Sequence, residues 1–222
     1  MNATENRKQK TENSNIRLRI FLTGVGGQGT LLASRVLGEA ALEAGFSPLV
    51  SETHGMAQRG GIVVSTVVLG ELQSPIISPG EADVLLGFEA LEAFRALNYC
   101  HARSLVIANT AAIAPYPVAT GQARYPEVDR MLALLGKQVG GLLAFDAGAL
   151  AREAGSPLAV NMVLLGSLAA TAYLPFSEED LRHILRTRTN PKFLEANLKA
   201  FQSGADAAED DRNWVRRPAP RH

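Results

Sequence analysis

The residues most suited to chemistry in this 222-residue chain lie in two glycine-rich loops. The first loop, Gly24-Val-Gly-Gly-Gln-Gly29, matches the G-x-G-x-x-G pattern and stands between an apolar run and a helical pattern. Glycines there let the backbone approach a phosphate, and the following helix N-terminus supplies N–H groups and partial positive charge. The pattern favours an anion or cofactor site, the alternative being that the glycines serve only close strand–helix packing. The predicted binding residues of this loop are Gly24, Gly26, Gly27, Gln28, Gly29 and Thr30.

The second loop, Glu52–Gly61, combines an imidazole, an amide, a guanidinium and several glycines within ten residues. Loops at the carboxyl ends of strands form the ligand crevice of an open α/β sheet, so both loops are expected at one edge. Arg59 could pair with a phosphate or carboxylate, and His54 is a weaker candidate for an acid, a base or a hydrogen-bond anchor. Alternatively, the polar groups of this loop satisfy one another. The predicted binding residues here are Gln58, Arg59, Gly60 and Gly61.

Two other functional classes stay open at this stage. Glu52 follows the second predicted strand, where an acidic residue binds the ribose in dinucleotide-binding proteins. A free-standing NAD(P)-binding Rossmann dehydrogenase is therefore one alternative. A non-catalytic interaction module with degenerate loops is the other.

Composition narrows the classes further. Lys plus Arg and Asp plus Glu both number 22, so the formal net charge is zero. That balance argues against a nucleic-acid binder that neutralises phosphates and against a polybasic membrane-surface protein. Cys100 is the single cysteine, which excludes a disulfide framework and a cysteine-ligated iron–sulfur cluster built by this chain alone. The four histidines have no metal-ligand spacing, so no metal site is predicted.

Elements that would position the loops alternate between strands and helices, which predicts a Rossmann-like α/β fold. The expected sheet is mostly parallel, covered by helices on both faces, and has one antiparallel hairpin around Gly70-Glu71. The predicted strands are Leu18–Thr23, Pro48–Ser51, Ile62–Leu69, Leu72–Ile77, Ala82–Phe88, Ser104–Ala108 and Leu142–Phe145, with helices over Thr30–Ala44 and from Glu89 to about Asn98.

The C-terminal half depends on the apolar stretch Leu158–Phe176. It is marginal in length for a membrane span and Pro175 closes it, so we interpret it as a buried helix. Ser177 begins a capping box with Asp180, and a last helix is predicted over Pro191–Phe201. The predicted organisation is a disordered tail over 1–15, one domain over 16–202 and a flexible tail over 203–222. The first 15 residues lack an apolar run, so a secretory signal is not predicted and a cytoplasmic location is expected.

Several polar residues have structural interpretations. Asp146 and Asn109 each end a predicted strand, where a residue can either face a ligand or cap a helix. Glu89 and Glu92 share a helix face and are interpreted as solvated. Cys100 is interpreted as an inert thiol.

Together, Gly24–Thr30 and Ser51–Gly61 resemble the gamma domain of 2-oxoacid:ferredoxin oxidoreductases, most closely the small subunit of the indolepyruvate-specific enzymes. The resemblance covers about Arg17–Phe201 and includes the stretch Asn190–Phe201. It implies a subunit that completes an active site carried with a large partner subunit, where a coenzyme A site could also lie.

The resemblance also implies a chemistry divided between chains. Thiamine diphosphate and [4Fe-4S] clusters would be held by the large subunit, ferredoxin would accept the electrons, and coenzyme A could bind at the interface. The reaction implied is oxidative decarboxylation of a 2-oxoacid, with indolepyruvate or another aryl pyruvate favoured. This chain alone would bind no cofactor, nucleic acid or membrane.

Overall fold

A computed structural model describes residues 16–54, 61–113, 118, 120–122 and 124–210. The described strands are β1 (Leu18–Val25), β2 (Leu49–His54), β3 (Ile62–Leu69), β4 (Ala82–Gly87), β5 (Cys100–Asn109) and β6 (Gly141–Phe145). The described α-helices are α1 (Thr30–Glu43), α2 (Ala90–Arg95), α3 (Val128–Gln138), α4 (Ala147–Glu153), α5 (Val160–Ala170), α6 (Glu178–Arg188) and α7 (Pro191–Asp210), and a 3-10 helix spans Ala96–Tyr99.

The six strands form one sheet in the order β2-β3-β1-β4-β5-β6. β1, β4, β5 and β6 pair in parallel, whereas β3 runs antiparallel to both of its neighbours, β1 and β2. Five strands therefore share one direction and β3 alone opposes them. This arrangement confirms the predicted α/β class with a mostly parallel sheet and an antiparallel piece.

The antiparallel piece is not built as the sequence indicated. Leu72–Ile77 is not a strand, and the hairpin predicted around Gly70-Glu71 is wrong. β3 is already paired on both sides, so its two edges leave no backbone groups for a further strand. The segment instead turns at Gly70, whose φ is 108°, and Thr66 Oγ1 donates a 2.7 Å hydrogen bond to the Pro75 carbonyl.

Helices cover the two faces of the sheet and bury separate apolar clusters. On one face, Ile20, Leu22 and Leu86 pack with residues of α1, α5 and α7. On the other face, Phe21 and Leu85 pack with residues of α2 and α3. Alternate residues of β1 and β4 thus enter opposite cores, as the two-residue period of a strand requires.

α5 and α7 cross at close range because glycines stand at the contact. A Cβ built on Gly166 would lie 1.8 Å from the Phe201 carbonyl oxygen, and one built on Gly204 would lie 1.9 Å from the Val163 carbonyl oxygen. Ser167 Oγ, at the same crossing, lies 2.9 Å from the Gly204 carbonyl oxygen and 3.0 Å from that of Val163. The two helix backbones therefore touch without intervening side chains.

The C-terminal half agrees with most of the sequence analysis. α5 is buried as predicted but ends at Ala170, before Pro175, and the capping box of Ser177 and Asp180 is present at α6. α7 continues to Asp210 and buries Gly204, Ala205 and Ala208, so residues 203–210 are helical and do not belong to the predicted flexible tail. α3 was not predicted. Within the described helices, none has the length and apolarity that a bilayer span requires.

Candidate functional site

The two glycine-rich loops meet at the carboxyl end of β1. Gly26 N donates a 2.9 Å hydrogen bond to the Gly61 carbonyl, which joins the first loop to the end of the second. Gln28 N donates to the Val25 carbonyl at 3.2 Å and closes the turn between β1 and α1. The structure thus brings Gly24, Gly26, Gly27, Gln28, Gly29, Thr30 and Gly61 together, as the sequence predicted.

Gln28 holds the first loop in place through both ends of its amide. Its Oε1 accepts from Val25 N at 2.7 Å, and its Nε2 donates to the Phe88 carbonyl at 2.8 Å. A Cβ on Gly24 would lie 2.7 Å from that Oε1, so Gly24 is required where the Gln28 side chain folds back. The amide of Gln28 therefore ties the ends of β1 and β4 together, a positioning role that its place in a binding motif did not indicate.

The N-terminus of α1 presents hydrogen-bond donors that suit an anion. Gly29 precedes it with a φ of 84°, and no side chain among the described residues caps the helix. The first bond of the helix runs from Ala33 N to the Gly29 carbonyl, so the N–H groups of Thr30, Leu31 and Leu32 have no partner within the helix. No acidic residue stands in the first turn. These donors and the helix dipole favour a negatively charged ligand.

Two further residues shape this end of the helix. Gly27, with a φ of 100°, has open space where a Cβ would stand. Asn161 of α5 lies on the other side, and its Nδ2 is 3.5 Å from the Gly29 carbonyl oxygen. A Cβ on Gly29 would be 2.6 Å from the same nitrogen. The loop is therefore exposed at Gly27 and closely packed at Gly29.

The position of β3 bears on the dinucleotide alternative. In a dinucleotide-binding unit, the strand carrying the ribose-binding acid is adjacent to the strand that precedes the glycine loop. Here β3 separates β1 from β2, so exposed Glu52 on β2 lies two strand spacings, roughly 10 Å, from the axis of β1. The antiparallel strand fills the place where the ribose-binding strand would run.

Most of the second loop lies outside the described residues, including the predicted binding residues Gln58, Arg59 and Gly60. The backbone of His54 ends β2 and pairs with Val63, but its side chain is not among those described. Both loops nevertheless leave strands at the same edge of the sheet, as expected.

Asn109 and Asp146 are structural at this edge. Asn109 Nδ2 donates to the Phe88 carbonyl at 3.0 Å, and its Oδ1 accepts from Ala111 N and Ala147 N, both at 3.1 Å. Asp146 Oδ1 accepts from Ala149 N at 2.8 Å and caps α4. Of the two interpretations that the sequence allowed, the contacts support capping for Asp146 and strand-end anchoring for Asn109.

Glu89 and Glu92 correct the sequence analysis. They were interpreted as a solvated face, yet their exposed fractions are 1% and 4%. Glu89 caps α2 by accepting from Glu92 N at 3.0 Å, and its Oε1 also accepts from Ile113 N at 3.1 Å and from the Tyr125 hydroxyl. Helical spacing correctly placed the two glutamates on one face. It could not show that Ile113 and Tyr125, which are distant in sequence, bury that face.

Burial changes the acidity of three groups near these elements. It raises the pKa of Glu92, which the adjacent Arg95 guanidinium opposes. It also raises the pKa of Tyr125, with the hydrogen bond to Glu89 acting in the same direction. Burial raises the pKa of the Cys100 thiol to about 11, which agrees with its interpretation as inert because the thiolate is the reactive form.

The chain is similar in sequence and in fold to subunits of known oxidoreductases. Residues 19–207 match the family model for pyruvate ferredoxin/flavodoxin oxidoreductase. The indolepyruvate oxidoreductase subunit IorB of Thermococcus kodakarensis is 43% identical over 193 residues, which are 86% of this chain and 96% of that subunit.

Two solved structures share the fold. The gamma subunit of a keto/oxoacid ferredoxin oxidoreductase from Geobacter sulfurreducens has a TM-score of 0.64 at 23% identity, over 86% of this chain and 98% of that one. The 2-oxoglutarate:ferredoxin oxidoreductase from Magnetococcus marinus, solved with 2-oxoglutarate, coenzyme A and succinyl-CoA bound, has a TM-score of 0.66 at 20% identity. That match covers 89% of this chain but 32% of the longer one.

Proposed function

Because the chain belongs to the pyruvate ferredoxin/flavodoxin oxidoreductase family, we propose that it is the small subunit of an aryl pyruvate:ferredoxin oxidoreductase. The complex would carry out oxidative decarboxylation of a 2-oxoacid together with a large subunit. Indolepyruvate is the favoured substrate, because the 43% identical relative spans nearly its whole length and is named for it. The chain is not expected to be active by itself.

The observation that supports a ligand role is the N-terminus of α1 beside the joined loops, which no side chain among the described residues caps. The N–H groups of Thr30, Leu31 and Leu32, which have no partner within the helix, suit a phosphate, and the exposed backbone at Gly27 allows its close approach. Coenzyme A carries such phosphates, and the Magnetococcus enzyme was solved with it. We propose that the first loop holds a coenzyme A phosphate and that Arg59 of the second loop pairs with the same anion.

The remaining cofactors fit the large subunit. An iron–sulfur cluster needs several thiolates, whereas this chain has Cys100 alone and burial disfavours its thiolate. We propose that thiamine diphosphate and [4Fe-4S] clusters are held by the large subunit and that ferredoxin receives the electrons there. Thiamine diphosphate would supply the carbanion chemistry, and this chain would position the acyl acceptor.

The proposal is tested by producing the tagged chain with its large subunit under anoxic conditions. The purified complex should reduce viologen when given an aryl pyruvate and coenzyme A. Arg59→Glu should raise the KM for coenzyme A by about tenfold or more, with a smaller effect on the KM for the 2-oxoacid, because one charge-assisted contact to an anion becomes repulsive.

Arg103→Glu is the matched control. Arg103 is exposed on β5 near the opposite edge of the sheet, so this charge reversal should leave the KM for coenzyme A unchanged. Wild-type kinetics in the Arg59→Glu enzyme would refute the anion-binding assignment. A chain that binds no large subunit but binds NADH saturably would refute the proposed function itself.

A further inference from the structure

Exposed apolar side chains from three parts of the chain converge on one groove of about 490 Å³. Leu32 of α1, Leu158 of the turn before α5 and Phe193 of α7 line it, with exposed fractions of 45%, 76% and 47%. Large apolar side chains grouped on one surface indicate an interaction site, whereas scattered ones do not. Leu32 and Phe193 are brought together only by the fold, since they are far apart in sequence.

The groove is continuous with the candidate functional site. Asn161, whose Nδ2 is 3.5 Å from the Gly29 carbonyl oxygen, is part of its lining. Leu32 belongs to the first turn of α1, whose N–H groups face the proposed anion site. A partner seated in the groove would therefore lie against the glycine loop and could close the ligand site from that side.

The charges around the groove favour an acidic occupant. Arg35 is exposed and forms no ion pair with any described residue, while Arg188 pairs with Glu39 at 3.5 Å. The Lys192 ammonium lies 5.7 Å from the centroid of the Phe193 ring, at the rim. Within the lining, two cations, Arg35 and Arg188, stand against one carboxylate, Glu39, which leaves an excess positive charge beside an apolar floor.

The Magnetococcus structure provides a reason for a partner surface. This fold makes up 32% of that longer chain, where it is covalently joined to the remainder. In a separate small subunit, a non-covalent surface must hold the corresponding parts together. We infer that the groove lined by Leu32, Arg35, Leu158 and Phe193 docks an apolar, acidic segment of the large subunit beside the glycine loop. This inference rests on the proposed function and adds the location and chemistry of the contact.

The test measures binding of the purified chain to the anoxically purified large subunit. Leu158→Asp and Phe193→Asp should each weaken the complex by about 30-fold or more, as loss of a central apolar anchor does. Both side chains are exposed, so circular dichroism and Tm should stay unchanged. Arg35→Glu should weaken binding by about tenfold at low salt, and Arg35→Lys should restore it.

Ile76→Asp is the matched control. Ile76 is 75% exposed, about as much as Leu158, but it does not line the groove, so this variant should bind like the wild type. Wild-type binding by Leu158→Asp and Phe193→Asp would overturn the inference while leaving the proposed function intact. A self-association that Leu158→Asp abolishes without affecting large-subunit binding would also overturn it, because a second copy would then be the occupant. Failure of the wild-type chain to bind any large subunit would overturn the inference and the proposed function together.

Discussion

Glycines perform different tasks in the first loop and at the crossing of α5 and α7. In the loop, Gly27 has a φ of 100° and open space around the missing side chain. At the crossing, Gly166 and Gly204 face carbonyl oxygens less than 2 Å from where a Cβ would stand. The loop uses glycine for backbone exposure and unusual dihedral angles, whereas the crossing uses it for close helix contact.

The difference separates residues that serve a ligand from residues that serve the fold. At the crossing, a side chain has no room and the cost of adding one falls on stability. At Gly27 in the loop, a side chain has room, so the cost is limited to backbone strain and to whatever must approach the backbone. Gly29 combines the two cases, since it has a positive φ and also lies against Asn161.

The largest effect is expected at the crossing. Gly166→Ala should lower the free energy of unfolding by at least about 3 kcal/mol, because its Cβ would overlap the Phe201 carbonyl and force α5 and α7 apart. Thermal unfolding should show a Tm lower by roughly 6–12 °C. Gly136→Ala in α3 is the control, with its nearest neighbour 3.5 Å from the new Cβ, and should leave Tm unchanged or slightly raised. Equal Tm values for the two variants would show that a side chain at the α5–α7 crossing costs no more stability than one at an ordinary helix position.

An intermediate effect is expected at Gly29. Gly29→Ala should cost about 2 kcal/mol through strain at a positive φ and the close contact with Asn161 Nδ2. In the Asn161→Ala background the same change should cost less, because the contacts with the Asn161 amide are gone and the backbone strain and the 3.3 Å contact with Cβ of residue 161 remain. A double-mutant cycle by denaturant unfolding measures this coupling. Strict additivity of the two changes would show that the contact with Asn161 does not limit the site.

The smallest effect on stability is expected at Gly27, where a substitution should also affect function. Gly27→Ala should cost about 1 kcal/mol of backbone strain and raise the KM for coenzyme A in the assembled enzyme. Gly80→Ala is matched to it, since Gly80 has a φ of 78° and open space but precedes β4 at the opposite edge. Both variants should lose similar stability in urea, and only Gly27→Ala should change the kinetics. Identical kinetics in the two would place the loop outside the ligand site.

Local patterns were sufficient to predict the strand–loop–helix unit of β1 and α1. The apolar run, the glycines and the helical period are adjacent in sequence, so each constrains the next. The position of β3 in the sheet could not be predicted in the same way. A β-branched run such as Ile62–Leu69 favours a strand but does not indicate which other strands it will pair with. Its pairing with β1 depends on contacts between distant residues.

The candidate site was predicted in part for the same reason. The convergence of the two loops followed from the rule that parallel strands share a carboxyl edge. The role of Gln28 was missed because its partner, Phe88, is 60 residues away. Burial of Glu89 was missed because Tyr125, 36 residues away, covers it. In both cases the residue type indicated a polar contact, but the sequence did not identify the distant residue that makes it.

The crossing of α5 and α7 also has a consequence for biosynthesis. α7 is the last described element to leave the ribosome, yet Ala200 and Phe201 belong to the larger core and Gly204 seats α7 on α5. That core cannot close until these residues have emerged, so folding of the sheet and its helices is completed only after α7 has left the ribosome. A nascent chain halted at Asn190 should therefore stay sensitive to protease, whereas one extended past α7 should become resistant.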